Sequence, residues 1–119
     1  MSTTGKKTKR TFAMIAIAAS LAVAGITHAG AQSASVQISI KDHRFQPAQI
    51  SAPANQPIAI HVKNLDSTPA EFESVTLRVE KVVPGNGEAI VNVRALAPGS
   101  YKFFDDFHKD SANGVLVVK

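Results

Sequence analysis

Apolar and polar residues alternate along several short stretches in the second part of the chain. Every second residue is apolar in residues 35–41, 57–63 and, less strictly, 89–95. Successive side chains of a strand point to opposite faces, so each of these stretches is predicted to be a half-buried strand. Turn-forming residues separate them at intervals of roughly ten residues, which is typical of a β-sandwich. The pattern therefore predicts an all-β fold.

Shorter apolar runs predict the remaining strands. A strand is expected from Phe45 to Ile50, residues 71–83 are expected to be mostly extended, and a strand starting at Tyr101 precedes a closing strand at residues 114–118. The sequence has no stretch of useful length in which apolar residues recur with the 3.6-residue period of a helix. The chain is therefore predicted to form a single β-sandwich without an internal repeat.

Strand order predicts which loops share an end of this sandwich. If the turn at His43 lies at one end, the third strand returns to that end at residues 64–70, and the strand from Tyr101 reaches it at residues 105–108. His43, Glu71, Glu73 and the Asp-Asp-Phe-His segment are then expected to lie close together. The position of Glu80 stays open, because residues 71–83 must cross the sandwich twice or bend.

The first residues have the composition of a targeting segment. Four basic residues precede an uncharged apolar run at residues 12–26, and Ala29-Gly-Ala31 offers a small-residue cleavage site before Gln32. This order predicts a secretory signal peptide at residues 1–31, and a single domain at residues 32–119. The apolar run is short for a spanning helix and a second one does not follow, so the mature form is expected to be periplasmic without a transmembrane span.

Charge and cysteine content exclude several classes of function. Four of the thirteen Lys and Arg lie in the leader, so nine basic residues balance nine Asp and Glu in the mature domain, and a nucleic-acid partner is not expected. The chain has no cysteine, which excludes disulfides and thiolate metal sites. A nucleophile elbow and a phosphate-binding glycine loop are also missing, so we predict no catalytic residues.

Carboxylates and a histidine remain as the candidate chemistry. Oxygen and imidazole ligands suit iron, manganese, zinc or cupric copper, whereas cuprous copper prefers sulfur. The alternatives are a solvated turn at residues 105–108 and an exposed strand entrance at Glu71 and Glu73. The residues that this hypothesis concerns are Glu71, Asp105, His108, Glu73 and Asp106, with His43 and Glu80 in second place.

Four short motifs give the chain a resemblance to the cupredoxin-like superfamily over nearly all of the mature part. They are Phe45-x-Pro47, Asn64 before a loop, Pro98-Gly-Ser-Tyr101 and Gly114-Val-Leu-Val-Val118. The resemblance implies a Greek-key β-sandwich of about seven to eight short strands, with Tyr101 in a tyrosine corner. Blue-copper members carry cysteine where this chain has Asp105, a histidine at His108 and another histidine at the place of Glu71. The resemblance therefore implies that no type 1 copper centre forms.

Two segments, residues 68–74 and 103–108, are similar to the EfeO-type cupredoxin-like proteins of periplasmic iron uptake. This resemblance implies a protein that either binds or oxidises ferrous iron before its transport by a high-affinity membrane iron permease. It also implies a companion periplasmic iron-binding protein as a partner. Glu71, Asp105 and His108 would be the first ligands, with Glu73 and Asp106 either as further ligands or as residues that support the ligands. Two alternatives stay open: a copper carrier without a type 1 centre, and a metal-free interaction module.

Overall fold

The computed structural model describes residues 33–119 and the isolated Gly5. The predicted signal peptide at residues 1–31 lies outside the described sandwich. Nine strands and one short 3₁₀ helix follow one another along the described chain. They are β1 (Ala34–Lys41), β2 (Arg44–Gln46), β3 (Gln49–Ala52), β4 (Ile58–Asn64), β5 (Ala70–Ser74), β6 (Val79–Val83), β7 (Glu88–Val93), β8 (Gly99–Phe104), η1 (Asp106–His108) and β9 (Asn113–Val118).

These strands form two sheets, and the prediction of an all-β sandwich is confirmed. One sheet has the order β2-β1-β4-β7 and the other the order β3-β9-β8-β5-β6. Both sheets are mixed, because β1 runs parallel to β4 and β3 runs parallel to β9. The helix within residues 33–119, η1, is too short and too polar to cross a membrane.

The strand count of nine exceeds the expected seven to eight because two stretches divide. The single strand expected at residues 45–50 is wrong: β2 and β3 belong to different sheets, with Pro47 between them. Proline has no N–H to donate to a ladder, which favours the exit of the chain from the first sheet at this point.

The second division separates β5 from β6. Residues 75–78 form a turn, and the two strands pair as an antiparallel hairpin with Phe72 opposite Lys81. Leu77 is buried within this turn and donates its N–H to the Ser74 hydroxyl. The alternation of residues 71–73 therefore does not continue past Ser74, and Glu71 and Glu73 lie on the face opposite the buried Phe72.

Aromatic side chains occupy the middle of the core. The rings of Phe72 and Phe103 stack with centroids 4.6 Å apart, and Phe45 meets Phe103 edge-on at 4.9 Å. Such pairs contribute beyond the area that they bury. Tyr101 donates its hydroxyl hydrogen to the Ala97 carbonyl oxygen at 2.7 Å, which is the contact expected of a tyrosine corner. The core thus fixes the strands that carry the candidate residues.

Candidate metal centre

The ladder between β5 and β8 ends at the level of the candidate residues. Glu73 of β5 lies opposite Phe104 of β8 and, on the other side, opposite Glu80 of β6. A ladder continued by two residues would pair Glu71 with Asp106, but β8 ends at Phe104 and Asp106 begins η1. Asp106 thereby lies beside Glu71, where the ladder between β5 and β8 ends.

Three carboxylates meet on the outer face of the five-stranded sheet. Glu71, Glu73 and Asp106 each offer an oxygen atom, and these atoms lie within 4.8 Å of one another. We name these three residues the carboxylate cluster. Glu71 is 3% exposed, Glu73 is half-buried and Asp106 is exposed, so the cluster extends from the protein interior to solvent.

Burial and mutual repulsion change the acidity of the cluster. Burial, reinforced by a hydrogen bond with Glu80 and by the charges of Glu73, Glu80 and Asp106, raises the pKa of Glu71 to about 7. The pKa of Glu73 is also raised, by partial desolvation and then by the charges of Glu80 and Asp106. Ionising all four of these carboxyl groups would cost electrostatic free energy, because like charges repel at short range. Either protons or a cation would relieve this repulsion.

Lys109 supplies the nearby positive charge. Its Nζ atom lies 2.8 Å from the Asp106 carboxylate, and this hydrogen bond raises the pKa of the Lys109 ammonium group. Both side chains are exposed to water, so the ion pair contributes little to stability. Sequence analysis did not single out Lys109, although its spacing of three residues from Asp106 in a tight turn would have suggested the pair.

Asp105 is completely buried and is occupied by hydrogen bonds. Its Oδ1 atom accepts from the backbone N–H of Glu71 at 3.0 Å and of Phe107 at 2.9 Å. Its Oδ2 atom lies 2.8 Å from Nδ1 of His108. A carboxylate that accepts from Nδ1 fixes the tautomer in which that nitrogen carries hydrogen, and so leaves Nε2 of His108 free to accept.

His43 and His108 form a separate pair. Their rings stack with centroids 3.7 Å apart and an angle of 15° between the planes. Asp66 holds the His43 turn by accepting from the backbone N–H groups of Asp42 and His43, and these bonds, that of His43 first, lower the pKa of Asp66. An imidazole nitrogen binds a metal within the plane of its ring, so two nearly parallel rings cannot share one ion without rotation.

The structure therefore places the predicted site residues in two groups. Glu71, Glu73 and Asp106 come together, and Glu80, whose position the sequence left open, lies opposite Glu73 on β6. Asp105, His108 and His43 form a chain of contacts beside this cluster. Within residues 33–119, the group of three that is spaced for one ion contains carboxylates alone.

Pockets of the described domain lie beside the cluster and on the opposite sheet. A pocket of about 250 Å³ at the β5–β6 turn includes Glu73 and Glu80 in its wall. A larger one, of about 400 Å³, lies on the outer face of the four-stranded sheet and is lined by His61, Lys63 and Glu88 among others. The carboxylate cluster is therefore an ion-sized site on a sheet surface, whereas the larger pocket lies on the other sheet.

The chain is similar to proteins of one family. A family model described as a cupredoxin-like domain matches residues 13–118. Uncharacterized protein RP394 of Rickettsia prowazekii (strain Madrid E) is 40% identical over 83 residues, which are 70% of this chain and 66% of that protein. The match thus spans slightly less than two thirds of the relative's length.

Solved structures show the same fold at low sequence identity. Auracyanin A, a blue copper protein of Chloroflexus aurantiacus, superposes with a TM-score of 0.62 at 16% identity, over 74% of this chain and 100% of that one. The metal binding domain of the Cu(I) exporting P-type ATPase CopA of Streptococcus pneumoniae D39 gives 0.61 at 15%, over 71% and 84%. These structures establish the fold, and the family model extends over most of the sequence. This chain belongs to the family of cupredoxin-like domains.

Proposed function

We propose that this protein binds ferrous iron at the carboxylate cluster in the periplasm and delivers it to a high-affinity iron permease. One observation carries the metal-binding part. The buried carboxyl of Glu71 offers an oxygen atom within 4.8 Å of oxygen atoms of Glu73 and Asp106, so three carboxylates of the described domain are spaced for one ion. Carboxylates this close repel one another unless protons or a cation neutralise them, and one bound cation would be shared by all three oxygens.

The donor set favours a hard or borderline ion. Carboxylate oxygens suit ferrous and ferric iron and manganese, and they bind cuprous copper poorly. Three protein oxygens leave further positions of an iron ion open to water or to groups of a partner. Such a site supports reversible carriage of the ion. The same ligands would favour oxidation of bound ferrous iron by dioxygen, since carboxylates stabilise the ferric state.

The partner and the compartment follow from sequence resemblance. Residues 68–74 and 103–108, which resemble the EfeO-type proteins, include all three residues of the carboxylate cluster. This coincidence supports a role in iron uptake, beside a membrane iron permease and a companion periplasmic iron-binding protein. The predicted leader at residues 1–31 supports the periplasmic location.

Copper carriage is a second candidate because copper proteins share this fold. The imidazoles of His43 and His108 would supply its ligands, without a thiolate and so without a type 1 centre. The stacked rings must first separate, which makes this reading less favourable than iron binding. It predicts that cupric copper binding is lost in His108→Ala and is unchanged in Glu71→Gln.

The deciding experiment is an anaerobic calorimetric titration of the purified protein with ferrous iron, and with cupric copper in parallel. We expect saturable iron binding that weakens at least about tenfold in Glu71→Gln, because a first ligand loses its charge. Glu88→Gln is the matched control, since Glu88 is an exposed glutamate on the other sheet. Iron binding that survives Glu71→Gln would refute this site.

The other outcomes distinguish the remaining functions. Copper binding without iron binding would make the protein a copper carrier. Absence of binding for both ions would make it a metal-free interaction module. Oxygen uptake after addition of ferrous iron would add ferroxidase activity to carriage, and its absence would leave carriage alone.

A further inference from the structure

Asp105 lies at the point where the β5–β8 ladder is interrupted. Its Oδ1 atom accepts the backbone N–H of Glu71, which has no strand partner on β8 because the pairing of the two strands is confined to Glu73 and Phe104. The same oxygen accepts the N–H of Phe107, the residue after Asp106. One buried oxygen therefore takes the place of a backbone carbonyl and joins the two segments that carry the cluster.

Other hydrogen bonds hold Asp105 itself in place. Its N–H donates to the Ala112 carbonyl oxygen at 3.0 Å, and its carbonyl oxygen accepts from the His108 N–H at 3.0 Å. Its second carboxylate oxygen is bonded to the His108 ring. With 0% exposure and three side-chain hydrogen bonds, the carboxylate is directed at protein donors and away from the solvent-facing cluster.

We propose that Asp105 is a positioning residue for the carboxylate cluster and not one of its metal ligands. Its Oδ1 atom sets the separation between Glu71 on β5 and Asp106 on η1, two of the three oxygens that must lie within reach of one ion. This inference rests on the proposed function of the cluster. The sequence predicts Asp105 as a first ligand, whereas this inference gives it the role of orienting the ligands. Residues that hydrogen-bond to metal ligands commonly control metal affinity.

A pair of substitutions separates the two roles. Asp105→Asn retains one carbonyl oxygen, which the two N–H donors of Glu71 and Phe107 will orient toward themselves, while the negative charge is lost. We expect affinity for Mn²⁺, an air-stable probe of oxygen sites, and for anaerobic ferrous iron to stay within about threefold of the wild type. Asp105→Ala removes the acceptor, and we expect a loss of about 10- to 100-fold.

Asp110→Asn is the control for removal of a nearby charge, because Asp110 is exposed and lies outside the cluster. Affinities are compared for the folded fraction of each variant, measured by circular dichroism. If Asp105→Ala does not fold, Asp105→Ser replaces it, since a serine hydroxyl is too short to reach both donors. Amide hydrogen exchange at Glu71 and Phe107 gives a second readout, and we expect protection to fall in the Ala or Ser variant and to persist in Asn.

Each outcome decides the inference. Retained affinity in Asp105→Asn with loss in Asp105→Ala or Ser supports positioning. An equal loss of metal affinity in all variants at position 105 would make Asp105 a ligand. Full metal affinity in all of them would remove Asp105 from the site. Both results overturn the inference and leave the proposed function intact. Absence of binding by the wild-type protein would overturn the proposed function itself, and the inference with it.

Discussion

At the scale of single residues, the environment of Glu71 dominates the chemistry. A glutamate on a strand face is usually solvated, but Glu71 is 3% exposed and shares its surroundings with three other carboxyl groups. Burial of an ionised group is costly without a partner of opposite charge. Lys109 is engaged with Asp106 at the solvent side. Burial and the neighbouring carboxyl groups therefore favour the protonated form of Glu71 and raise its pKa to about 7.

This arrangement predicts how stability depends on pH. The pKa of Glu71 is about 7 in the folded protein, against an ordinary value of 4.5, so between these pH values the folded state binds a proton that the unfolded state has released. The contribution of Glu71 is therefore fully present below pH 4.5 and is lost as pH rises through about 7. We expect the urea midpoint of the metal-free protein, measured with a chelator present, to fall over this range.

Two variants test the assignment to Glu71. Glu71→Gln is neutral in both states, so it should remove this part of the pH dependence, whereas the exposed Glu88→Gln should preserve it. An unchanged slope in Glu71→Gln would assign the dependence to another group. The same proton must leave before metal binds, so metal affinity is expected to rise between pH 5 and pH 7.5, roughly over the range in which Glu71 ionises.

At the scale of elements, the close contact of β8 with β9 anchors the strand that leads into the site. Phe103 lies opposite Gly114, and the ring lies over the glycine. A methyl group at position 114 would overlap the Phe103 ring and come within 2.8 Å of the Ala48 carbonyl oxygen. The absence of a side chain at this position lets the central aromatic ring pack against the backbone.

The glycine contact gives a stability prediction. Gly114→Ala should lower the free energy of unfolding by about 1–3 kcal/mol, because the core must shift to admit the methyl group. Gly99→Ala in the same strand pair is the control, since its added carbon would lie 3.6 Å from the Tyr101 ring, an ordinary contact, and should cost no more than about 0.5 kcal/mol. Urea unfolding measures both, and equal effects of the two substitutions would contradict this account.

At the scale of the whole molecule, the proposed ion would join strand β5 to η1, two segments that are far apart in the sequence. Glu71 and Glu73 come from β5, Asp106 comes from η1, and Glu80 follows on the edge strand β6. A ligand that binds only the folded state stabilises it by mass action. In a small domain that has no disulfide, this contribution is a large part of the total stability.

Metal binding should therefore raise the thermal midpoint of the protein. At a free Mn²⁺ concentration of 100 times the dissociation constant, the expected gain is about 2.7 kcal/mol, which corresponds to a shift on the order of ten degrees for a domain of this size. Glu73→Gln should reduce the shift, and Glu88→Gln should keep it. A wild-type midpoint that is independent of Mn²⁺ would argue against an ion at this site.

Sequence patterns were sufficient to predict the sandwich and the end at which the candidate residues gather. Alternation in residues 35–41 and 57–63 identified β1 and β4, since a strand with one buried face must place apolar residues at every second position. The turn residues around Tyr101 indicated the tyrosine corner. Missing cysteine excluded a type 1 centre directly, because no other side chain supplies a thiolate.

Which of these residues meet depends on contacts between strands that are distant in the sequence. The divisions at Pro47 and at residues 75–78 depend on pairing between distant strands, and the second one sets the face on which Glu71 and Glu73 lie. Asp105 and Asp106 are adjacent and chemically identical in the sequence, yet one is buried among N–H donors and the other joins the cluster. Two of the hydrogen bonds of the Asp105 carboxylate are local, to Phe107 and His108, but the third reaches Glu71 on β5 and depends on where β8 leaves the ladder.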